Sequence, residues 1–124
     1  MGIKKYKLKV SEFNKAYKLL GPLKCPKLNN TDIVFNRHGI NHLIRKGKRF
    51  RRRSEVLERL HLFQYTRKVI ESEISVLTIR NLVIKNLTVY FYGLTLKVDK
   101  IITRVIIRQI ENGPKHFYSI MRCN

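Results

Sequence analysis

The second half of the chain is the part that most restricts its fold. From Ile74 to Val98 it reads ISVLTIRNLVIKNLTVYFYGLTLKV, and from Ile101 to Ile110 IITRVIIRQI. β-Branched and aromatic residues dominate, with stretches of period two, which is the texture of strands rather than helices. Strands are expected at about 74–80, 82–92 with Asn86 as a candidate break, 94–98, 101–110 and 116–121. The 101–110 stretch is apolar on both alternating sets, as a central strand would be, with Val105 and Ile107 expected buried on opposite faces. "ENGPK" marks a hairpin turn around Asn112-Gly113.

The first half has helical texture. Residues 1–10 read as a short strand or arm, after which Ser11 is a candidate N-cap for a helix carrying Phe13, Ala16, Tyr17 and Leu20 at helical spacing. Gly21-Pro22 ends it, and residues 22–32 (PLKCPKLNNTD) read as a loop. Asp32–Phe35 can be a short strand or a helix lead-in. His38–Lys46 reads as a short helix with Ile40, Leu43 and Ile44 inward and Gly47 as C-cap. Lys48–Arg53 reads as a basic loop. One long helix should then run from about Ser54 to Glu71, with Val56, Leu60, Phe63 and Ile70 as its stripe, widened by Leu57 and Val69. The order predicts an α+β domain: N-terminal helices packed on a C-terminal antiparallel sheet of about four strands. At 124 residues there is room for one domain with a real core.

Charge narrows the partners. Twenty-seven Lys and Arg against eight Asp and Glu leave +19, far more than solubility needs. Polyanions are the expected partners, RNA first. The excess peaks in "RHGINHLIRKGKRFRRR" (37–53), which holds two histidines and no acid. Phosphate contacts are expected from Arg45, Lys46, Lys48, Arg49, Arg51, Arg52, Arg53 and Lys115. An acidic antitoxin or immunity protein would also fit this surface. No apolar run is long enough to span a membrane and no signal peptide or myristoylation pattern is seen, so the cytoplasm is the expected compartment.

Several chemistries lack their motifs. There is no GxxxxGK[ST] loop. His38 and His42 have a zinc spacing, but "HGINH" lacks a zincin glutamate and sits among cations, so no metal or cofactor is expected. Cys25 and Cys123 are far apart in sequence and read as free thiols. The only close acid pairs, Glu55 with Glu58 and Glu71 with Glu73, fall at or beside the expected long helix, so paired-carboxylate catalysis is poorly supported.

Histidine and cation chemistry remains. Metal-free RNA cleavage needs a base for the 2′-OH, an acid for the 5′-oxygen, and cations for the crowded phosphorane. His42 with Arg45 and Lys46 forms one cluster; "PKHFYS" forms another, with Lys115, His116, Tyr118 and Ser119. Strand alternation would put His116 and Tyr118 on one face and Phe117 and Ser119 on the other. Arg104 and Arg108 share a face. The catalytic candidates are therefore His42, His116, Arg104, Arg108, Tyr118 and Ser119, with His42 and His116 dividing the acid and base roles. His38 reads more simply as a surface or capping residue and His61 as structural. Tyr90, Phe91 and Tyr92 read first as core and rim of the sheet, although exposed aromatics beside cations can stack bases.

A histidine in "HLIRKG" after an apolar lead-in, a basic loop, a long helix and strands ending in "KHFYSIM" resembles the small metal-independent RNases of the barnase–EndoU–colicin E5/D–RelE group, in its phage-associated and toxin-like branches. The resemblance spans about residues 32–121 and leaves 1–31 as an added helix and loop. It implies two helices followed by a four-stranded antiparallel sheet, and RNA cleavage to a 2′,3′-cyclic phosphate. The family's helix histidine would map onto His42, its strand cations onto Arg104 or Arg108, and its last-strand polar residues onto His116, Tyr118 and Ser119. The chain departs from barnase in lacking an obvious glutamate base. The rival expectation is a non-catalytic basic RNA-binding module. No helix-turn-helix spacing supports DNA binding.

Overall fold

The computed structural model describes residues 2–46 and 49–123, the side chain of Lys46 excepted. Gly47, expected as a helix C-cap, and Lys48 lie outside the described residues.

Helix α1 runs Ile3–Leu19, so residues 3–10 are helix rather than an arm and Ser11 lies inside it rather than capping it. The apolar spacing explains it: Tyr6, Val10, Phe13 and Tyr17 repeat every three or four residues and make the inward stripe. Nor are residues 22–32 simply a loop. Strand β1 (Leu23–Cys25), a short 3-10 turn (Pro26–Leu28) and strand β2 (Thr31–Val34) form a hairpin. Asn29 and Asn30 reverse it with positive φ of 57° and 58°. Leu23, Cys25, Leu28 and Ile33 are buried, while Lys24 and Asp32 pair across the outer face at 2.9 Å.

Helix α2 (Arg37–Ile44) is capped by Asn36, whose side chain accepts from the His38 N–H. It stops at Ile44, two residues before the expected end. The basic run then pairs with itself: β3 (Arg45–Lys46) is antiparallel to β4 (Arg49–Phe50). The expected long helix is two, α3 (Arg53–Leu62) and α4 (Thr66–Glu71), joined by a 3-10 turn at Phe63–Tyr65. The tighter turn re-aims the apolar stripe, so Val56, Leu62, Tyr65, Val69 and Ile70 are buried while Leu57, Leu60 and Phe63 are only partly covered.

Strands β5 (Val76–Ile84), β6 (Leu87–Val98), β7 (Ile101–Ile110) and β8 (Lys115–Arg122) complete the sheet. Two-residue turns at Lys85-Asn86 and Asp99-Lys100 have positive φ at both positions, which matches the twist of the flanking strands. No break falls at Gly93; it lies inside β6. The sheet has six strands in the order β1-β2-β8-β7-β6-β5, and β2 runs parallel to β8. The expected sheet of about four antiparallel strands is thus corrected to a mixed six-stranded one, while the α+β class stands. The two added strands are only three and four residues long; β2 falls where Asp32–Phe35 is expected as a short strand or a helix lead-in, whereas β1 lies in the stretch that reads as a loop.

One face of the sheet is covered by helices. Leu94, Val105, Ile107, Phe117 and Ile120 are buried against Leu43, Leu62, Val69 and Ile70 in one core. Val105 and Ile107, two residues apart, share this face rather than lying on opposite faces. Helix α1 joins through aromatic contacts: Phe13 and Tyr17 pack on Phe63, and Tyr17 also meets Phe35 and Phe117. The Tyr17 hydroxyl donates to the Asn36 carbonyl at 2.6 Å, tying α1 to the residue that starts α2. Among the described helices, none is long and apolar enough to cross a membrane.

Candidate active site

Strand β2 pairs with β8 only through Ile33–Lys115 and Val34–His116. Beyond that point α2 and α3 pack on β8. Two features permit this. A Cβ on Gly39 would sit 2.5 Å from the Phe117 carbonyl oxygen and 2.6 Å from the Tyr17 hydroxyl, so only glycine lets α2 approach this closely. Arg59 on α3 donates from Nη1 to the Ile120 carbonyl at 2.8 Å and to Ser119 Oγ at 2.7 Å. A guanidinium thereby satisfies a carbonyl that a neighbouring strand would otherwise have bonded.

The face of the sheet opposite the core carries the site. Cross-strand partners share a face, so the register sorts its residues into three rows. The first is Arg80, Phe91, Arg108 and His116; the second is Thr78, Gly93, Ile106 and Ser119; the third is Val76, Thr95, Arg104 and Met121. A register shift between Ile106 and Ile107 leaves Tyr118 as an extra residue on β8. This bulge overturns the simple alternation: His116 and Ser119 now share the site face with Arg108 and Ile106. The Tyr118 ring also meets this face, with Arg108 4.8 Å from its centroid and Phe91 edge-on at 5.6 Å.

His42 reaches the cleft from α2. Its ring stacks on Tyr118 with centroids 4.2 Å apart and planes 24° from parallel. Arg51 holds it from behind: Nε donates to the His42 carbonyl at 3.0 Å, and Nη2 lies 3.3 Å from His42 Nε2. A guanidinium can only donate, so this contact uses Nε2 as an acceptor. Arg51, 5% exposed, also faces Glu55 at 3.7 Å. The resulting cleft of about 570 Å³ is lined by His42, Tyr118 and residues of all three rows, Arg80 and Arg104 among them. No carboxylate is in the lining described.

His116 is placed differently from His42. It is 4% exposed, and its Nε2 accepts from Arg108 Nε at 3.0 Å. Burial pushes its pKa down to about 4; the neighbouring Arg108 and His38 push the same way, and a hydrogen bond to the Pro114 carbonyl opposes them. His38, exposed at the start of α2, has its ring 5.8 Å from that of His116. At neutral pH His116 is therefore an uncharged acceptor fixing Arg108.

Of the sequence-derived catalytic set, His42, Arg104, Tyr118 and Ser119 line one cleft, and Arg108 and His116 adjoin it through Tyr118. Ser119 is buried with its hydroxyl held by Arg59, and Arg104 donates to Thr95 Oγ1 at 3.1 Å. The phosphate-contact set is dispersed. Arg51 lies behind His42, outside the cleft lining. Arg45 lies over Phe50, Arg53 over Tyr6 and Lys115 over Tyr92, while Arg49 and Arg52 are exposed. Arg80, Thr78, Gly93 and Arg59 were missed by sequence reasoning. Period-two spacing on β5 was the available signal, but both of its alternating sets are apolar enough to hide which one carries function. His61 is exposed on α3 and bonds locally to Gln64.

Compared with protein-family models, with curated proteins and with solved structures, the chain matches none.

Proposed function

We propose that this protein is a metal-independent endoribonuclease of toxin or effector type, acting in the cytoplasm as the small RNases it resembles would. The observation carrying this reading is the His42–Tyr118 stack in a cleft whose described lining holds Arg80 and Arg104 and no acid. Cations without carboxylates favour a phosphate. The Arg51 guanidinium keeps the His42 ring neutral and oriented, and His42 acts as base when substrate displaces that donor from Nε2.

In this mechanism His42 takes the 2′-OH proton and O2′ attacks phosphorus. The P–O5′ bond breaks, leaving a 2′,3′-cyclic phosphate. The Tyr118 hydroxyl gives the 5′-oxygen its proton and recovers one from His42. Arg108 and Arg104 stabilise the phosphorane, and bidentate guanidinium geometry suits its oxygens. His116 acts as a positioning residue: its neutral ring aims Arg108. This reassigns the role expected for it, because an imidazole with a pKa near 4 is not the imidazolium that a general acid needs at neutral pH. Ser119 likewise serves through Arg59 in holding the edge of β8.

The test is total RNA incubated with the protein in EDTA. Cleavage that survives chelation supports the RNase. Intact RNA with retarded mobility selects the alternative, a non-catalytic basic RNA-binding module.

A further inference from the structure

The floor of the cleft has a shape that acid–base chemistry does not require. Gly93 lies in the middle of β6, buried, with Thr78 and Ile106 as its cross-strand neighbours. A Cβ there would come within 2.7 Å of Thr78 Oγ1 and 3.7 Å of Ile106 Cδ1 and Arg104 Cδ, so glycine lets these side chains close over β6 and form the floor of the cleft. Beside this floor, in the first row, stands Phe91. Its ring is half-buried, with the Arg80 guanidinium 5.4 Å from its centroid and the Tyr118 ring edge-on. On the other side, in the third row, Arg104 is pinned by Thr95. The result is a slot with an apolar floor, hydroxyl-bearing Thr78, an aromatic wall and a cation at each end.

We propose that this slot is a nucleobase subsite, built on Phe91 and Gly93 with Arg80 at its rim, and that it restricts the substrate to single-stranded nucleic acid. The inference rests on the RNA reading above and names the substrate form. A planar base enters the cleft above the Thr78–Gly93–Ile106 floor and stacks against Phe91, while Arg80 and Arg104 face the flanking phosphates. Stacking on an aromatic ring needs only a π-face, so the slot accepts an unpaired base of any sequence. In a duplex each base is stacked and paired, and cannot enter without being flipped out.

The probe is a fluorescent DNA strand of mixed sequence. It lacks the 2′-OH, so binding is read without the proposed cleavage, and a failure of the RNase reading leaves this measurement intact. The same strand is compared with its duplex and with an abasic strand carrying the same phosphates. The single strand should bind roughly 10-fold or more tighter than the abasic strand, and tighter than the duplex. Phe91→Leu, which keeps apolar volume but removes the ring, should bring the single strand to within about 2-fold of the abasic affinity. It should leave the abasic affinity itself unchanged. Phe91→Tyr should restore the difference. Equal binding of abasic and normal strands, a duplex bound as tightly as the single strand, or an equal loss on both strands in Phe91→Leu would each overturn the proposal.

Discussion

Arg108 Nε donates to His116 Nε2 at 3.0 Å, and the two residues stand opposite each other on β7 and β8. The bond can exist only while His116 is neutral, which couples the aim of Arg108 to pH.

That coupling predicts the acid behaviour of the fold. The folded pKa of His116, about 4, lies below its ordinary value of 6.5. Between these pH values the unfolded chain binds a proton that the folded chain does not. The stabilisation is complete above pH 6.5 and is lost as pH falls toward 4. The loss should be on the order of 3 kcal/mol. Denaturant unfolding at pH 7.5 and 4.5 measures it. His116→Gln, which keeps an acceptor for Arg108 but does not titrate, should flatten the dependence; the same slope in both proteins would refute the assignment.

Gly39→Ala should destabilise the fold, although alanine is the better helix former by about 1 kcal/mol. The added methyl meets a backbone carbonyl, which cannot swing aside, and the anchored Tyr17 hydroxyl. Gly21→Ala is the control, with nothing within 4 Å of its Cβ position. Thermal melts in which both variants match wild type would show that α2 does not ride on β8 as described.

Arg59→Met keeps the length of the side chain and removes both bonds to the β8 edge. Hydrogen bonds to a charged donor are worth about 1.5 to 3 kcal/mol each, so a loss of roughly 2 to 4 kcal/mol is expected after partial solvent replacement. Urea unfolding reads it, and a change below about 0.5 kcal/mol, the range of an ordinary surface substitution, would mean that water serves the edge equally well.

Part of the salt dependence of binding should come from the exposed basic segment beside the cleft. Each phosphate neutralised on a single strand contributes about 0.7 to the slope of log K against log salt, so replacing Arg45, Arg49 and Arg52 together by Ala should flatten it by about 2. Arg51 is excluded because it is buried behind His42. An unchanged slope removes these three from the interface.

The strong periodicities were legible in the sequence. Strand 101–110, the turn after Ile110, the candidate break at Asn86 and a helix starting near His38 follow from β-branching, turn chemistry and apolar spacing, whereas the strand boundary expected at Asn81 lies inside β5. What was not legible depends on contacts between distant residues. The bulge at Tyr118 arises from the register of β8 against β7, and it is what gathers His116, Tyr118 and Ser119 about one cleft. Gly93 reads locally as a strand break, yet it sits mid-strand where a Cβ would strike the Thr78 hydroxyl on the neighbouring strand. The run 48–53 reads as uniform charge, whereas packing assigns Arg51 to His42, Arg53 to Tyr6 and leaves Arg52 exposed.

In the proposed reaction His42 carries the proton in a metal-free attack by the 2′-OH. The direct measurement is the cleavage rate of one end-labelled single-stranded RNA in EDTA by wild type, His42→Ala and the control His61→Ala, with the product ends identified. Wild type and His61→Ala should leave 2′,3′-cyclic phosphates. His42→Ala should be about 10²- to 10⁴-fold slower while binding the strand as tightly. Cleavage by His42→Ala at the wild-type rate, or an RNA that wild type binds and leaves whole, would contradict the account.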